Sequence, residues 1–281
     1  MGEQMYPPRR GVYLTRHWNE NAARWAADGK FLPRDFQLGL LLQAGASSIP
    51  GLLAAMTTHE DARGDLLAPI EPEHETWAAG VTYLRSRDAR VAESNTGDIY
   101  QKVYQAERPE LFFKGSGERT RGNGQPIRVR RDSAWNVPEP ELVLAINQGG
   151  EIVGYTAGDD VSSRSIEAEN PLYLPQAKLF NGSSALGGGI VLCPVEDLIE
   201  LPIRLRIERG GAELFYGTTS TGQMKRTFQD LVHYLFQELD FSRGVFLFTG
   251  TGIIPPDDLS LQPGDRVEIQ VGQVTLENPV E

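Results

Sequence analysis

Glu139 and Glu141 stand two residues apart in VPEPELVLAIN, a run that otherwise has the composition of a buried strand. A second acidic pair, Asp159 and Asp160, closes the next apolar run, EIVGYTAGDD. Successive strand residues point to opposite faces, so Glu139 and Glu141 share a face with Val143 and Ala145, while Leu142, Leu144 and Ile146 enter the core on the other. NQGG between the runs reads as a tight hairpin turn. Centring it between Gln148 and Gly149 sets Glu139 opposite Gly158. Asp160, two residues on, then emerges on the glutamates' face at the same open end, and Asp159 points away. Three carboxylates meeting at one point repel unless one is protonated or a cation lies among them. Oxygen-only ligation with open positions suits Mg²⁺, with Mn²⁺ or Ca²⁺ as alternatives. The competing reading is an acidic rim on an already acidic protein, and E-x-E spacing alone does not decide between them.

Most of the elements that would hold these residues are short and β-rich. TWAAGVTYL, ELFFKG, ELVLAIN, EIVGYTAG, GIVLCPV, PIRLRIERG, AELFYGTT, GVFLFTGTG and DRVEIQVGQVTL are separated by turns, which predicts a rolled or sandwiched sheet in an α+β protein. MKRTFQDLVHYLFQELD predicts one good helix, with Phe228, Leu231, Val232, Leu235, Phe236 and Leu239 as its packing stripe and Ser220 or Thr221 as its cap. Upstream, NENAARWAADG predicts a short helix from about Asn19, and PRDFQLGLLLQAG and SSIPGLLAAM two more. The joint LLAPIEPEHE then marks a boundary near Ile70. The expectation is a small α-rich N-terminal domain, residues 1–70, and a mostly β catalytic domain, residues 71–281.

Composition narrows the function. The 27 basic and 38 acidic residues leave a net charge of −11, which argues against a nucleic-acid or anionic-membrane surface. The single cysteine, Cys193, lies in the apolar run IVLCPV and reads as a buried, inert thiol. MGEQMYPPRRGVY has no apolar core of signal-peptide length, so a cytoplasmic protein is expected. There is no G-x-S-x-G elbow, no phosphate loop and no Cys/His spacing for zinc.

EPEL and GYTAGDDVSSRS resemble the fumarylacetoacetate hydrolase superfamily, whose members carry E-x-E on one strand and G-(N/D)-D-x-S-x-R on the next. The likeness continues in order through NPLYLPQAK, GSSALG, FTGTG, PGDRVEI and ENPV, from Pro72 to Glu281. WAAGVTY, RPELFFKG and AENPLYLPQAKLF are similar to the branch that dehydrates 2-keto-3-deoxy sugar acids. The resemblance implies that Glu139, Glu141 and Asp160 bind Mg²⁺. It places Lys178 in the substrate pocket, where it would stabilise an enolate or carry a proton with its pKa lowered by the cation, and gives Glu110 a part in proton transfer. It also sets Thr251 against the substrate carboxylate, although Gly252 stands where the family usually has proline. Lys114 and Arg164 would bring positive charge to the pocket, Arg164 more plausibly by anchoring a carboxylate beside the metal ligands.

The implied activity is a metal-dependent lyase, acting on a 2-oxo acid such as a five-carbon 2-keto-3-deoxy sugar acid and giving 2,5-dioxopentanoate, in a homodimer or larger homo-oligomer. Hydrolytic relatives carry a histidine and a glutamate soon after G-x-N-Y. Here GVTYLRSRDARVAES has no histidine after Tyr83, and the family's G-H-G is GNG, with Asn123 at its centre. A C–C hydrolase or decarboxylase of an acylpyruvate or 2,4-dioxo acid remains the alternative, followed by a metal-binding member without catalysis.

Overall fold

The Pro140–Ile146 and Ile152–Asp160 strands form the predicted antiparallel hairpin in the interior of an eleven-stranded sheet. A computed structural model describes residues 11–93 and 97–281; the stretch read for a leader lies mostly outside the described residues.

The hairpin's register differs from the expected one. Glu141, not Glu139, lies opposite Gly158, and the Asp160 N–H donates to the Glu139 carbonyl at 3.0 Å. Two one-residue additions cause the change. The Asn147 N–H donates to the Glu151 carbonyl at 3.0 Å, closing residues 148–150 into a three-residue loop with Gly150 at φ +76°. Asn147 Oδ1 fastens this loop by accepting from the Gly149 and Glu151 N–H groups at 3.0 and 2.8 Å. Val153 then bulges, because Ile146 pairs with Ile152 but Ala145 pairs with Gly154. A slip of two residues returns every side chain to its original face, so the three carboxylates still converge.

Both faces of the hairpin are packed. A four-stranded antiparallel sheet, Pro202–Arg209, Ala212–Ser220, Arg266–Val271 and Val274–Pro279, covers one side, where Leu142, Leu144, Tyr155 and Ala157 meet Ile203, Leu205, Val267 and Ile269. This is the sandwich the short strands predict. On the other side, Val143, Ala145, Phe246 and Phe248 pack with Leu38, Leu42, Ile49 and Leu53 of helices α1 (Leu38–Leu41) and α2 (Ile49–Met56) and the turn between them.

The helix expected from Asn19 is a strand. Ala22–Ala27 pairs antiparallel with Val12–Asn19 through a two-residue turn in which Glu20 and Asn21 sit at φ +49° and +63°. Two left-handed residues make the turn that suits a twisted hairpin, and they override the alanine-rich composition. Strands therefore accompany the two helices in this segment, where an α-rich one was expected. Hydrogen bonding also crosses the boundary near Ile70, since Val12–Asn19 pairs with Ile190–Leu192.

Between Tyr83 and Glu110 the sequence reading missed two helices, α3 (Leu84–Glu93) and α4 (Gly97–Gln105). α5 (Arg164–Glu169) and α6 (Leu174–Lys178) follow the hairpin. The expected long helix is α7 (Phe228–Leu235), capped by Thr227, whose hydroxyl accepts from the Asp230 N–H at 3.0 Å. Ser220 and Thr221 serve other turns, and Leu239 lies beyond the helix end with 40% of its surface exposed.

Candidate active site

Glu139, Glu141 and Asp160 end up as the geometry of the hairpin dictates: buried, with one carboxylate oxygen from each within 4.8 Å of the others. Burial removes the acidic-rim reading. Glu141 Oε2 accepts from the Gly250 N–H at 2.6 Å, and Asp159, on the opposite face as expected, holds the Glu139 N–H with its Oδ1 at 3.1 Å. Three hard oxygen donors clustered out of water suit a divalent cation such as Mg²⁺. Burial, reinforced by Asp160 and Glu139, raises the Glu141 pKa well above the carboxylate range; burial also raises that of Glu139 against Lys178 and Arg90.

Short helices deliver the cavity's lining residues in pairs, one cation in each. On α6, Leu174 and Lys178 are four residues apart and line one cavity; on α5, Arg164 and Glu167 are three apart; on α3, Ser86 and Arg90 are four apart. Lys178 Nζ donates to Glu139 Oε2 at 2.6 Å, Asp160 Oδ2 at 2.9 Å and the Ser162 hydroxyl at 2.6 Å. The lowered pKa expected here is one that a bound cation would impose; the protein's own groups act the other way. Burial does oppose the charge, but Asp160 and Glu139 outweigh it and the pKa is raised. Asp160 moves the other way: burial opposes its ionisation, and Lys114 and Lys178 overcome that and lower its pKa.

Lys114, expected at the pocket, is fully buried behind it, 2.6 Å from Asp160 Oδ1, and its ammonium also bonds the Lys178 carbonyl. It positions Asp160 and does not face the cavity. Arg164 meets Glu139 Oε1 at 3.0 Å, so it anchors a candidate metal ligand itself and not, as expected, a carboxylate beside the ligands.

Glu110 begins the edge strand Glu110–Ser116 and reaches the same cavity by lying across Gly80, where an added Cβ would fall 2.0 Å from its Oε2. Burial, then the nearby Glu167, pushes its pKa up to about 7. Thr251 lines the cavity too, but its hydroxyl is engaged with the Ile253 backbone at 3.2 Å, so it also does the work of a turn threonine. Val81, at φ +54°, turns the chain from the Glu75–Gly80 strand toward α3. A left-handed β-branched residue stores strain, and this one sits in the cavity wall. The enclosed space is about 20 Å³, room for a water and not for a sugar acid.

The sequence missed Arg90 and Glu167. Arg90 donates to Glu139 Oε1 at 3.0 Å and bridges to Glu167 Oε2, tying α3 to α5. Their only sequence signal is helical spacing, Glu167 three residues after Arg164 and Arg90 four after Ser86, on helices too polar to stand out. Among the described residues no histidine lines the cavity. Asn123 accepts from the Glu277 N–H in a turn. Cys193 is half-buried where a buried thiol was expected, but burial still lifts its pKa to about 12, as an inert residue requires.

Comparison with known proteins agrees with this architecture. The family described as fumarylacetoacetate (FAA) hydrolase C-terminal matches residues 76–281. The chain is 44% identical over 242 residues to a probable 2-keto-3-deoxyxylonate dehydratase of Haloferax volcanii, covering 83% of each protein. It is 42% identical over 219 residues to 2-dehydro-3-deoxy-D-arabinonate dehydratase of Saccharolobus solfataricus, covering 75% of this chain and 73% of that one. A solved 2-keto-3-deoxy-D-arabinonate dehydratase complexed with magnesium and 2,5-dioxopentanoate matches with a TM-score of 0.78 and 33% identity, over 96% of this chain and 98% of that one. An apo form matches with a TM-score of 0.82 at the same identity and coverage. With most of its length matched by the family and its carboxylates in place, the chain belongs to the fumarylacetoacetate hydrolase family.

Proposed function

We propose that the chain is a magnesium-dependent lyase that removes water from a 2-keto-3-deoxy pentonate to give 2,5-dioxopentanoate. The observation that carries this reading is the buried triad of Glu139, Glu141 and Asp160 facing the same cavity as Glu110 and Lys178. The names of the relatives support the substrate class. Xylonate and arabinonate differ at C2 and C3, and neither carbon is stereogenic once C2 is an oxo group and C3 a methylene. Within the D series the two names therefore describe one compound.

A divalent cation on the triad supplies Lewis acidity that makes the protons beside a 2-oxo group removable. Glu110 is the base for the C3 proton. Its pKa of about 7 leaves it half ionised at neutral pH, the condition under which general-base catalysis is most effective. Lys178 stays protonated among Glu139, Asp160 and Ser162 and offers positive charge to a developing enolate. As the C3–H bond breaks, the C3–C4 double bond forms and the C4 hydroxyl leaves. Glu110, now carrying the C3 proton, returns it to that hydroxyl, which departs as water. Tautomerisation of the remaining allylic alcohol gives the aldehyde. Thr251 would meet the substrate carboxylate if its hydroxyl leaves the Ile253 backbone, and Arg164 keeps Glu139 in position.

The test is incubation of purified protein with Mg²⁺ and 2-keto-3-deoxy-D-arabinonate, followed by mass spectrometry. Loss of one water, abolished by EDTA and by Glu139→Ala, is the expected result. An intact sugar acid alongside cleavage of an acylpyruvate into two acids would replace the lyase with the C–C hydrolase, and loss of CO₂ from a 2-oxo diacid would replace it with the decarboxylase.

A further inference from the structure

Both oxygens of Glu139 carry cationic partners. Oε2 accepts from Lys178 at 2.6 Å, while Oε1 accepts from Arg90 and faces Arg164, each at 3.0 Å. A cation taken up by the triad must therefore share Glu139 with these three groups. They are not equally able to give way. Arg164 and Lys178 have 1% and 3% of their side chains exposed, and Lys178 is held by two further partners. Arg90 has 10% exposed and stands on α3 in the cavity wall. It also has a carboxylate anchor outside the triad, Glu167, which would retain it if Glu139 turned to a metal.

The cavity adds a second argument. At about 20 Å³ it excludes a five-carbon acid, so a wall must move for substrate to enter. The other hydroxyl donors of the wall are committed: the Ser86 hydroxyl donates to the Tyr83 carbonyl at 2.9 Å, and Thr251 is engaged with Ile253. A substrate whose C1 and C2 oxygens face the triad directs its C4 and C5 hydroxyls away from it. The guanidinium, a planar fork of several donors, is suited to take them up.

We infer that Arg90 exchanges partners during the reaction cycle, bonding Glu139 when no metal is bound and turning to the distal hydroxyls of the substrate when metal and substrate are in place, with Glu167 as its constant pivot. The metal half of this inference rests on the triad alone; the substrate half rests on the dehydratase reading. Arg90 is thus a competitor for the metal and a determinant of specificity for hydroxylated over unsubstituted 2-oxo acids.

The experiment uses EDTA-stripped full-length protein, wild type and Arg90→Gln, with Arg90→Lys as the charge-conserving variant; thermal melting confirms that each is folded. Calorimetric titration with Mn²⁺ in the absence of substrate reads the first half. Arg90→Gln is expected to bind Mn²⁺ at least threefold more tightly, and Arg90→Lys to fall between it and wild type. Unchanged or weaker Mn²⁺ binding by Arg90→Gln would overturn the exchange. Pyruvate, which has the same 2-oxo acid end and no distal hydroxyl, reads the second half. Its affinity for the Mn²⁺-loaded variants should stay within twofold of wild type, while KM for 2-keto-3-deoxy-D-arabinonate rises about tenfold or more, the scale of a lost charged hydrogen bond. Equal losses for both ligands would overturn distal recognition. If wild type does not dehydrate the sugar acid, the dehydratase reading and the substrate half fall together, and the Mn²⁺ titration still decides the metal half. Should Arg90→Gln not fold, the Arg90→Lys titrations carry the same two decisions.

Discussion

Glu110 sets an expected pH response that follows from its surroundings. With a pKa of about 7, the carboxylate fraction without a metal is ~9% at pH 6, half at pH 7 and ~91% at pH 8, so kcat/KM should climb by at most about tenfold between pH 6 and 8 if Glu110 is the base. A cation on the triad favours the carboxylate and moves the midpoint down, never up. Glu110→Gln keeps the shape but cannot accept a proton; it should lower kcat by ~10²–10⁴-fold and leave Mn²⁺ affinity near wild type. Gly80→Ala reaches the same carboxylate indirectly, because the new Cβ would sit 2.0 Å from Glu110 Oε2 and force it aside. The shift also appears in stability. Glu110's folded pKa lies above the ordinary 4.5, so the folded chain keeps a proton that the unfolded chain releases. Its stabilising share is complete below pH 4.5 and is lost as pH rises to 7, a change of on the order of 3 kcal/mol. Denaturant melts across that window should show the slope in wild type and a shallower one in Glu110→Gln. A flat kcat/KM from pH 6 to 8, with Glu110→Gln within threefold of wild type, would refute the assignment.

Chelation should abolish turnover, and full activity in EDTA would remove the metal from the account. Mg²⁺ at a hundred times its Kd should raise stability by about 2.7 kcal/mol, read as a higher Tm that EDTA reverses. Lys178→Met strips Glu139 and Asp160 of a shared cation, and kcat should fall by ~10²–10³-fold; a loss below fivefold would make the lysine merely structural. Asn147→Ala removes two accepted N–H bonds and donations to the Ala44 carbonyl and Glu151, at an expected cost of about 2–4 kcal/mol in chemical denaturation. No measurable cost would mean that the loop holds its shape without Asn147.

The triad was legible because strand alternation is strict: once ELVLAIN and EIVGYTAG pair, Glu139, Glu141 and Asp160 share a face in either register. What the residues could not state was the register itself. Asn147 closes a three-residue loop with its side chain and Val153 bulges, and NQGG, which suggests a two-residue turn, announces neither. The strand at Ala22 hid behind alanines because its turn residues, Glu20 and Asn21, needed a left-handed backbone that composition does not announce. α3 escaped for the opposite reason. LRSRDARVAE has no apolar stripe, so the helix that carries Arg90 to Glu139 has nothing in its sequence to mark it as part of a site.

The Val153 bulge also decides which of two neighbouring acids faces the site. Had the strand continued regularly beyond Ile152, Asp159 would have come opposite Glu139 in place of Asp160, and the cavity would still have received a third carboxylate. The hairpin thus has a decoy, a misregistered closure that looks complete from the metal's side. Its penalty lies elsewhere. In that closure Tyr155 and Ala157 would leave the sandwich core for the side now held by Thr156 and Gly158. Fidelity at the site is thus enforced by apolar residues that never touch it.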